Sequence, residues 1–223
     1  MTTLVIAPHA DDEVLGCGGT LLRRHSEERS VAWVLVTETK DGIGPAREVR
    51  DAEIERVRKG LPIPETSIIR LGHQTTTLDT LPMSSLVSEM ARAVERIRPS
   101  EVLIPHPEDA HSDHRVVAQA AMAATKWFRG DCILRVLAYE TLSETGITGM
   151  AAFRPDIHID ISPWLDEKVD LLQHYGSEIG PFPFPRSEEA IRALASLRGA
   201  NAGFRAAEAF QVISFREPVD QSR

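Results

Sequence analysis

Two short runs of the sequence hold most of its capacity for chemistry. The first, PHADDE (Pro8–Glu13), sets a histidine, two aspartates and a glutamate almost side by side. The second, HPEDAHSDHR (His106–Arg115), holds three of the eight histidines. Carboxylates packed together need a compensating charge. A helix N-terminus beginning near Asp12 supplies a few tenths of a kcal/mol to about 1, and a divalent cation supplies more. His9 and Asp12 lie three apart across a strand-to-helix turn, so both can face one point. His111 and His114 are one helical turn apart, so their rings can point the same way. Bland readings exist for each run alone. Asp12 and Glu13 are favourable acids for a first helical turn, and Asp113 suits a helix N-cap beside two surface histidines. Those readings leave His9 and Asp11 without a role.

Both runs follow apolar strands, and this is what positions them. Apolar, β-rich stretches recur at Leu4–Ala7, Val31–Thr37, Ser67–Leu71, Val102–Pro105, Leu134–Tyr139, Ile157–Ile161 and Gln211–Phe215. Helix-like stretches lie between several of them: Gly18–Arg24, Ala46–Lys59, Ser85–Ile97, Asp113–Phe128, Pro163–Tyr175 and Ser187–Leu197, the last with Ser187 as N-cap. Alternating strands and helices predict a single α/β domain over residues 1–223, Rossmann-like, with a mostly parallel sheet and helices on both faces. Ligands of such sheets bind beyond the carboxyl ends of the strands. Two loops that each leave a strand there can meet at one edge.

Composition narrows the partners. The net charge of −8 over 223 residues argues against nucleic acid or an anionic membrane as partner. Cys17 and Cys132 form no C-x-x-C pair or disulfide framework, which fits a reducing cytoplasm. No signal-peptide pattern or membrane-spanning run is visible, so the expectation is a cytoplasmic protein.

The two motifs, in this order and each after a strand, resemble the PIG-L/LmbE-like family of zinc-dependent N-deacetylases, whose signature is A-H-P-D-D-E with a downstream H-x-D-H. Here they read PHADDE, with Ala10 in place of the usual proline, and HSDH (His111–His114). AEAF (Ala207–Phe210) also looks family-like. The resemblance implies that His9, Asp12 and His114 hold Zn2+, with iron(II) or cobalt(II) as substitutes, and that two histidines and one carboxylate leave room for water and substrate. It implies Asp11 as general base. His111 would be the cation that stabilises an oxyanion, or the acid for the leaving amine, and Asp113 would hold the His111 ring. Arg50, in RDAE (Arg50–Glu53), would bind substrate, with Arg47 as its rival. Asp109 stands where some members carry a tyrosine, so any oxyanion help from that tyrosine is absent here or comes from elsewhere. The implied reaction is hydrolysis of an N-acetyl group from an N-acetylated amino sugar, and family members are often homo-oligomers.

Other readings fare less well. The glycines Gly16, Gly18 and Gly19 lack G-x-G-x-x-G spacing, and the acids before them would repel a pyrophosphate. They are better read as allowing close helix–sheet packing, with Cys17 as a small core residue. A non-haem iron oxygenase would use a His/Asp/His triad but leaves the second aspartate and His111 idle. A two-metal phosphoesterase needs more bridging ligands than the sequence offers. A silent sugar-binding homologue would not need Asp11 and His111. His106 reads equally as a loop histidine or a site residue, and PFPFP (Pro181–Pro185) as a substrate-facing loop or an oligomer contact.

Overall fold

The computed structural model describes residues 1–39, 47–129, 131–147 and 152–219. Seven strands form one sheet: β1 (Thr2–Ala7), β2 (Ser30–Glu38), β3 (Ile68–Gln74), β4 (Glu101–Pro105), β5 (Arg135–Tyr139), β6 (Ile157–Asp160) and β7 (Ala207–Phe215). Their spatial order is β3-β2-β1-β4-β5-β7-β6. The first five are parallel; β7 runs antiparallel to both β5 and β6. All seven predicted strands are present, and β7 begins earlier than expected because AEAF is already paired to β6.

Two faces bury two cores, and strand alternation divides them. Val5 and Ala7 of β1, with Val31, Trp33 and Leu35 of β2, face α1 (Asp12–Ser26), α2 (Arg47–Gly60), α5 (Leu165–Gln173) and α6 (Glu188–Ala202). Leu4 and Ile6, with Ala32, Val34 and Val36, face α3 (Met83–Ile97) and α4 (Ser112–Ala124). Successive side chains point to opposite faces, so a strand covered on both reads as one apolar run. On α3 the buried residues Leu86, Met90, Ala93 and Val94 fall at the expected helical spacing. The helix ends with Arg98 in the left-handed region (φ 49°).

Helix α1 differs from the expected short helix at Gly18–Arg24. It starts at Asp12 and breaks at Cys17, whose φ/ψ of −150°/18° is not helical. Beyond the break, the Gly19 and Thr20 N–H groups donate to the two Glu208 oxygens at 3.0 and 2.7 Å. Lys168 donates to the Leu15 carbonyl at 2.9 Å and to Glu208 at 2.7 Å. An acid from β7 and a lysine from α5 thus serve backbone groups on either side of the break. Gly16 is forced by packing: a Cβ there would meet the Tyr139 ring at 2.2 Å. Helix α4 stops at Ala124, short of Phe128, and α5 is preceded by a 3-10 turn at Ser162–Trp164. Ser187 caps α6 as expected, its hydroxyl accepting from the Ala190 N–H at 3.2 Å.

Candidate active site

Between β1 and β4 the strand order reverses direction along the sheet, and the loops leaving these two strands carry the two motifs. Crevices at such switch points are where α/β sheets bind ligands. Here the crevice is a cleft of about 250 Å³ lined by His9, Asp11, Asp12, His111 and His114, among others.

His9, Asp12 and His114 each offer one ligand atom, all within 4.8 Å of one another. Asp12 Oδ2 lies 3.2 Å from His9 Nδ1 and 3.2 Å from His114 Nε2. Burial works against charge on both rings, but Asp113 and Asp12 outweigh it at His9, whose pKa rises to about 9. Asp12 and Asp109 do the same at His114, which rises to about 10. Burial also works against the Asp12 carboxylate, yet His114 and His9 hold it well below the usual range. A pocket that draws positive charge onto its own rings suits a cation. Imidazole nitrogens with a carboxylate are donors for zinc, iron(II) or cobalt(II).

The supporting shell is equally specific. His114 Nδ1 lies 2.8 Å from Asp109 Oδ2, while the Thr145 hydroxyl donates to Asp109 Oδ1 at 2.6 Å. Fixing one ring nitrogen in this way aims the other at the metal position. Asp109 therefore has a role of its own, which its substitution for a tyrosine does not reveal. Asp109 lies in the loop after β4, five residues before His114 on α4, so the pair is local in sequence.

Asp113 departs from expectation. Its carboxylate lies 3.1 Å from His9 Nε2 and accepts from the backbone N–H groups of Thr76 at 2.7 Å and Leu78 at 3.3 Å. It thus holds His9 and the loop after β3. Its link to His111 runs through its backbone, whose N–H donates to His111 Nδ1 at 3.1 Å and makes His111 the N-cap of α4. With Nδ1 accepting, the ring carries its proton on Nε2. Burial, then the nearby His9 and His114, push its pKa down to about 4. This shift disfavours the cationic form of the His111 ring.

Asp11 is buried and backbone-strained, with φ 149° in a region L-residues seldom adopt. Burial, then the Asp12 charge, raise its pKa to about 7, while Arg186 pulls it down. Arg186 Nη1 donates to Asp11 Oδ2 at 2.8 Å. Glu13 accepts the Asp11 N–H at 3.2 Å and the Tyr175 hydroxyl at 2.7 Å, and burial raises its pKa to about 8.

A family model for GlcNAc-PI de-N-acetylase (PIG-L) matches residues 4–125, more than half of the chain and both motifs. The chain belongs to the PIG-L family. A diacetylchitobiose deacetylase of Thermococcus kodakarensis is 25% identical over 224 residues, covering 94% of this chain and 82% of that protein. The structure of a conserved protein from Thermus thermophilus superposes with a TM-score of 0.79 at 28% identity, over 99% of this chain and 98% of that one. A 4-carboxy-2-hydroxymuconate hydratase from Pseudomonas putida superposes with a TM-score of 0.77 at 18% identity, over 99% of each chain. That last likeness is one of fold alone, and one fold hosts many chemistries.

Within this PIG-L domain, six of the seven predicted site residues line the cleft, and Asp113 reaches it through His9. Arg50 lines the cleft and its guanidinium is engaged by neighbouring residues: it meets Glu53 at 3.2 Å, Ser177 at 3.2 Å and Glu178, which also lines the cleft. Arg47 is 69% exposed and pairs with Glu38 at 3.3 Å. His106 is buried against Gln211 and Phe153, away from the cleft. Among the described residues no helix is long and apolar enough to cross a membrane.

Proposed function

We propose that the protein hydrolyses the N-acetyl group of an N-acetylated amino sugar, releasing acetate and a free amine with the help of a divalent cation. The observation that carries this reading is the convergence of the His9, Asp12 and His114 donor atoms with Asp11 and His111 on one cleft, in a chain of a deacetylase family. The cation held by His9, Asp12 and His114, zinc in this proposal, would polarise the amide carbonyl and lower the pKa of water.

The chain's own residues account for the remaining steps. Arg186 engages Asp11 Oδ2, and Oδ1 is the oxygen that takes a proton from the attacking water. The water oxygen bonds to the acetamide carbon. The neutral His111 donates its Nε2–H to the oxyanion so formed. As the C–N bond breaks, the proton held by Asp11 passes to the departing nitrogen. One carboxyl with a pKa near neutrality serves as base and then as acid, so a cationic His111 is not required.

Acetate release from N-acetylglucosamine and N,N'-diacetylchitobiose is the direct test, run as purified, after chelation and after zinc is restored. Activity lost on chelation and regained with zinc supports the reading. A zinc-loaded chain that releases no acetate from a broad panel of N-acetylated sugars, or activity indifferent to chelation, overturns it.

A further inference from the structure

The segment between α5 and α6 contains the PFPFP run, and it returns to the active site at four points. Tyr175 donates to Glu13, Ser177 accepts from Arg50, Glu178 meets both Arg50 and Arg186, and Arg186 reaches Asp11. The contacts with Arg50 and Arg186 form a closed circuit around one peptide. Arg50 Nη1 approaches the Ala10 carbonyl at 3.5 Å, on the peptide that leads into the strained Asp11. Arg186 holds the Asp11 carboxylate on the other side, and Glu178 joins the two guanidiniums, its Oε2 lying 3.4 Å from Arg186 Nη1. The Arg50 guanidinium also lies over the Tyr175 ring and that of Arg186 over Phe184, at 5.5 and 5.4 Å from the ring centroids. Both arginines are thus steered by aromatic packing as well as by charge.

We propose that Arg186 is a positioning residue for Asp11, acting with Arg50 through Glu178 as a clamp that holds the base in its strained conformation with one carboxylate oxygen engaged and the other turned to the substrate. This rests on the assignment of Asp11 as general base. It gives Arg50 a different job from the predicted one, since it grips the backbone before Asp11 rather than the substrate. It also gives the PFPFP segment a purpose: two successive turns, closed by Phe184 N–H to the Pro181 carbonyl and Ser187 N–H to the Phe184 carbonyl, and the Phe184 ring carry Arg186 to the cleft. A misplacement of about 1 Å at a reacting group can cost about 100-fold in rate, so a device that fixes one carboxylate has a measurable effect.

The test uses the zinc-loaded full chain as wild type, Arg186→Met and Arg186→Lys, read by crystal structure and by steady-state kinetics. In Arg186→Met the Asp11 carboxylate should leave its wild-type rotamer while zinc content holds. Its kcat should fall by about 10- to 100-fold with KM nearly unchanged. The lysine variant should recover part of kcat, and methylguanidinium added to Arg186→Met should restore part as well. A purely structural role would give neither the kcat-only loss nor the rescue. Asp11 unmoved in Arg186→Met overturns the proposal, as does a rise in KM at constant kcat, which would make Arg186 a substrate anchor. If wild type releases no acetate from any sugar tested, the deacetylase reading fails, and the crystallographic arm still decides whether Arg186 fixes Asp11.

Discussion

Two clusters of buried charge sit at opposite ends of the central strands, and they are built on different plans. At the amino end of β4, the single Glu101 carboxylate meets Arg24 through two nitrogens at 2.9 and 3.1 Å, Arg29 at 3.1 Å, Arg135 at 2.6 Å and the Thr3 hydroxyl at 2.6 Å. At the carboxyl end, Asp11, Asp12, Glu13, Asp109 and Asp113 are all buried; Arg186 reaches a carboxylate, that of Asp11, while Arg50 and Arg115 reach backbone carbonyls, of Ala10 and of Asp109 and Ala110. The pKa shifts follow the charge balance. Burial works against the Glu101 carboxylate, but Arg24 and its neighbours outweigh it and the pKa falls. At the active end the balance is uneven: burial, then the Asp12 charge, raise Asp11 to about 7 and burial raises Glu13 to about 8, while against burial the histidines hold Asp12 and Asp113 low. An over-compensated carboxylate stabilises the fold; an under-compensated group is poised for a ligand or a proton.

Four substitutions test that contrast. Asp11→Asn should lower kcat by about 10²- to 10⁴-fold, with zinc content retained and the urea midpoint no lower. Loss of zinc from this variant would instead make Asp11 a ligand. Glu101→Gln should do the opposite. Three arginines left facing a neutral amide should cost about 3–5 kcal/mol of stability at pH 7, seen as a lower urea midpoint, while the folded fraction keeps its kcat. The sign of the pH dependence follows from the direction of the Glu101 shift. Its folded pKa lies below the ordinary 4.5, so its contribution is present above that value and is lost as pH falls through the folded pKa. Wild type and Glu101→Gln should therefore converge in stability in acid; a gap that persists would show that the carboxylate's charge is not what stabilises.

The two smaller effects probe the supports of the active end. Asp109→Asn should weaken zinc affinity by about 10- to 100-fold, measured by competition with a chelator, with little change in the unfolding of the zinc-free chain. Unchanged affinity would show that His114 needs no partner at Nδ1. Ser187→Ala removes the α6 cap next to Arg186 and should cost about 1 kcal/mol in thermal or urea unfolding. Its effect on kcat should be smaller than that of Arg186→Met.

Much of this organisation is legible in the sequence. The strands read clearly because a sheet covered on both faces needs apolar residues at every position, as in Leu4–Ala7 and Val102–Ile104. The two motifs read clearly because each is local and follows a strand. The start of α1 does not, because Gly16, Gly18 and Gly19 depress helix propensity, and the Tyr139 ring that demands Gly16 is distant in sequence. The roles of Tyr175, Glu178 and Arg186 are hidden for the same reason. Arg186 and Asp11 are 175 residues apart, and only the folded chain makes them neighbours. The His111 Nδ1 that accepts the Asp113 N–H is a detail of the α4 cap that residue type alone does not show.

The break in α1 bears on how the molecule comes into being. Its open N–H groups wait for Glu208 on β7, 188 residues downstream of Thr20. A ribosome-bound chain thus displays His9, Asp11 and Asp12 early, but the helix behind them stays unfinished until β7 inserts between β5 and β6. Contacts of such separation slow folding and couple distant segments into one cooperative step. Assembly of the catalytic end is therefore expected late, after translation has delivered β7, with the nascent amino-terminal portion dependent on protection from aggregation in the interval.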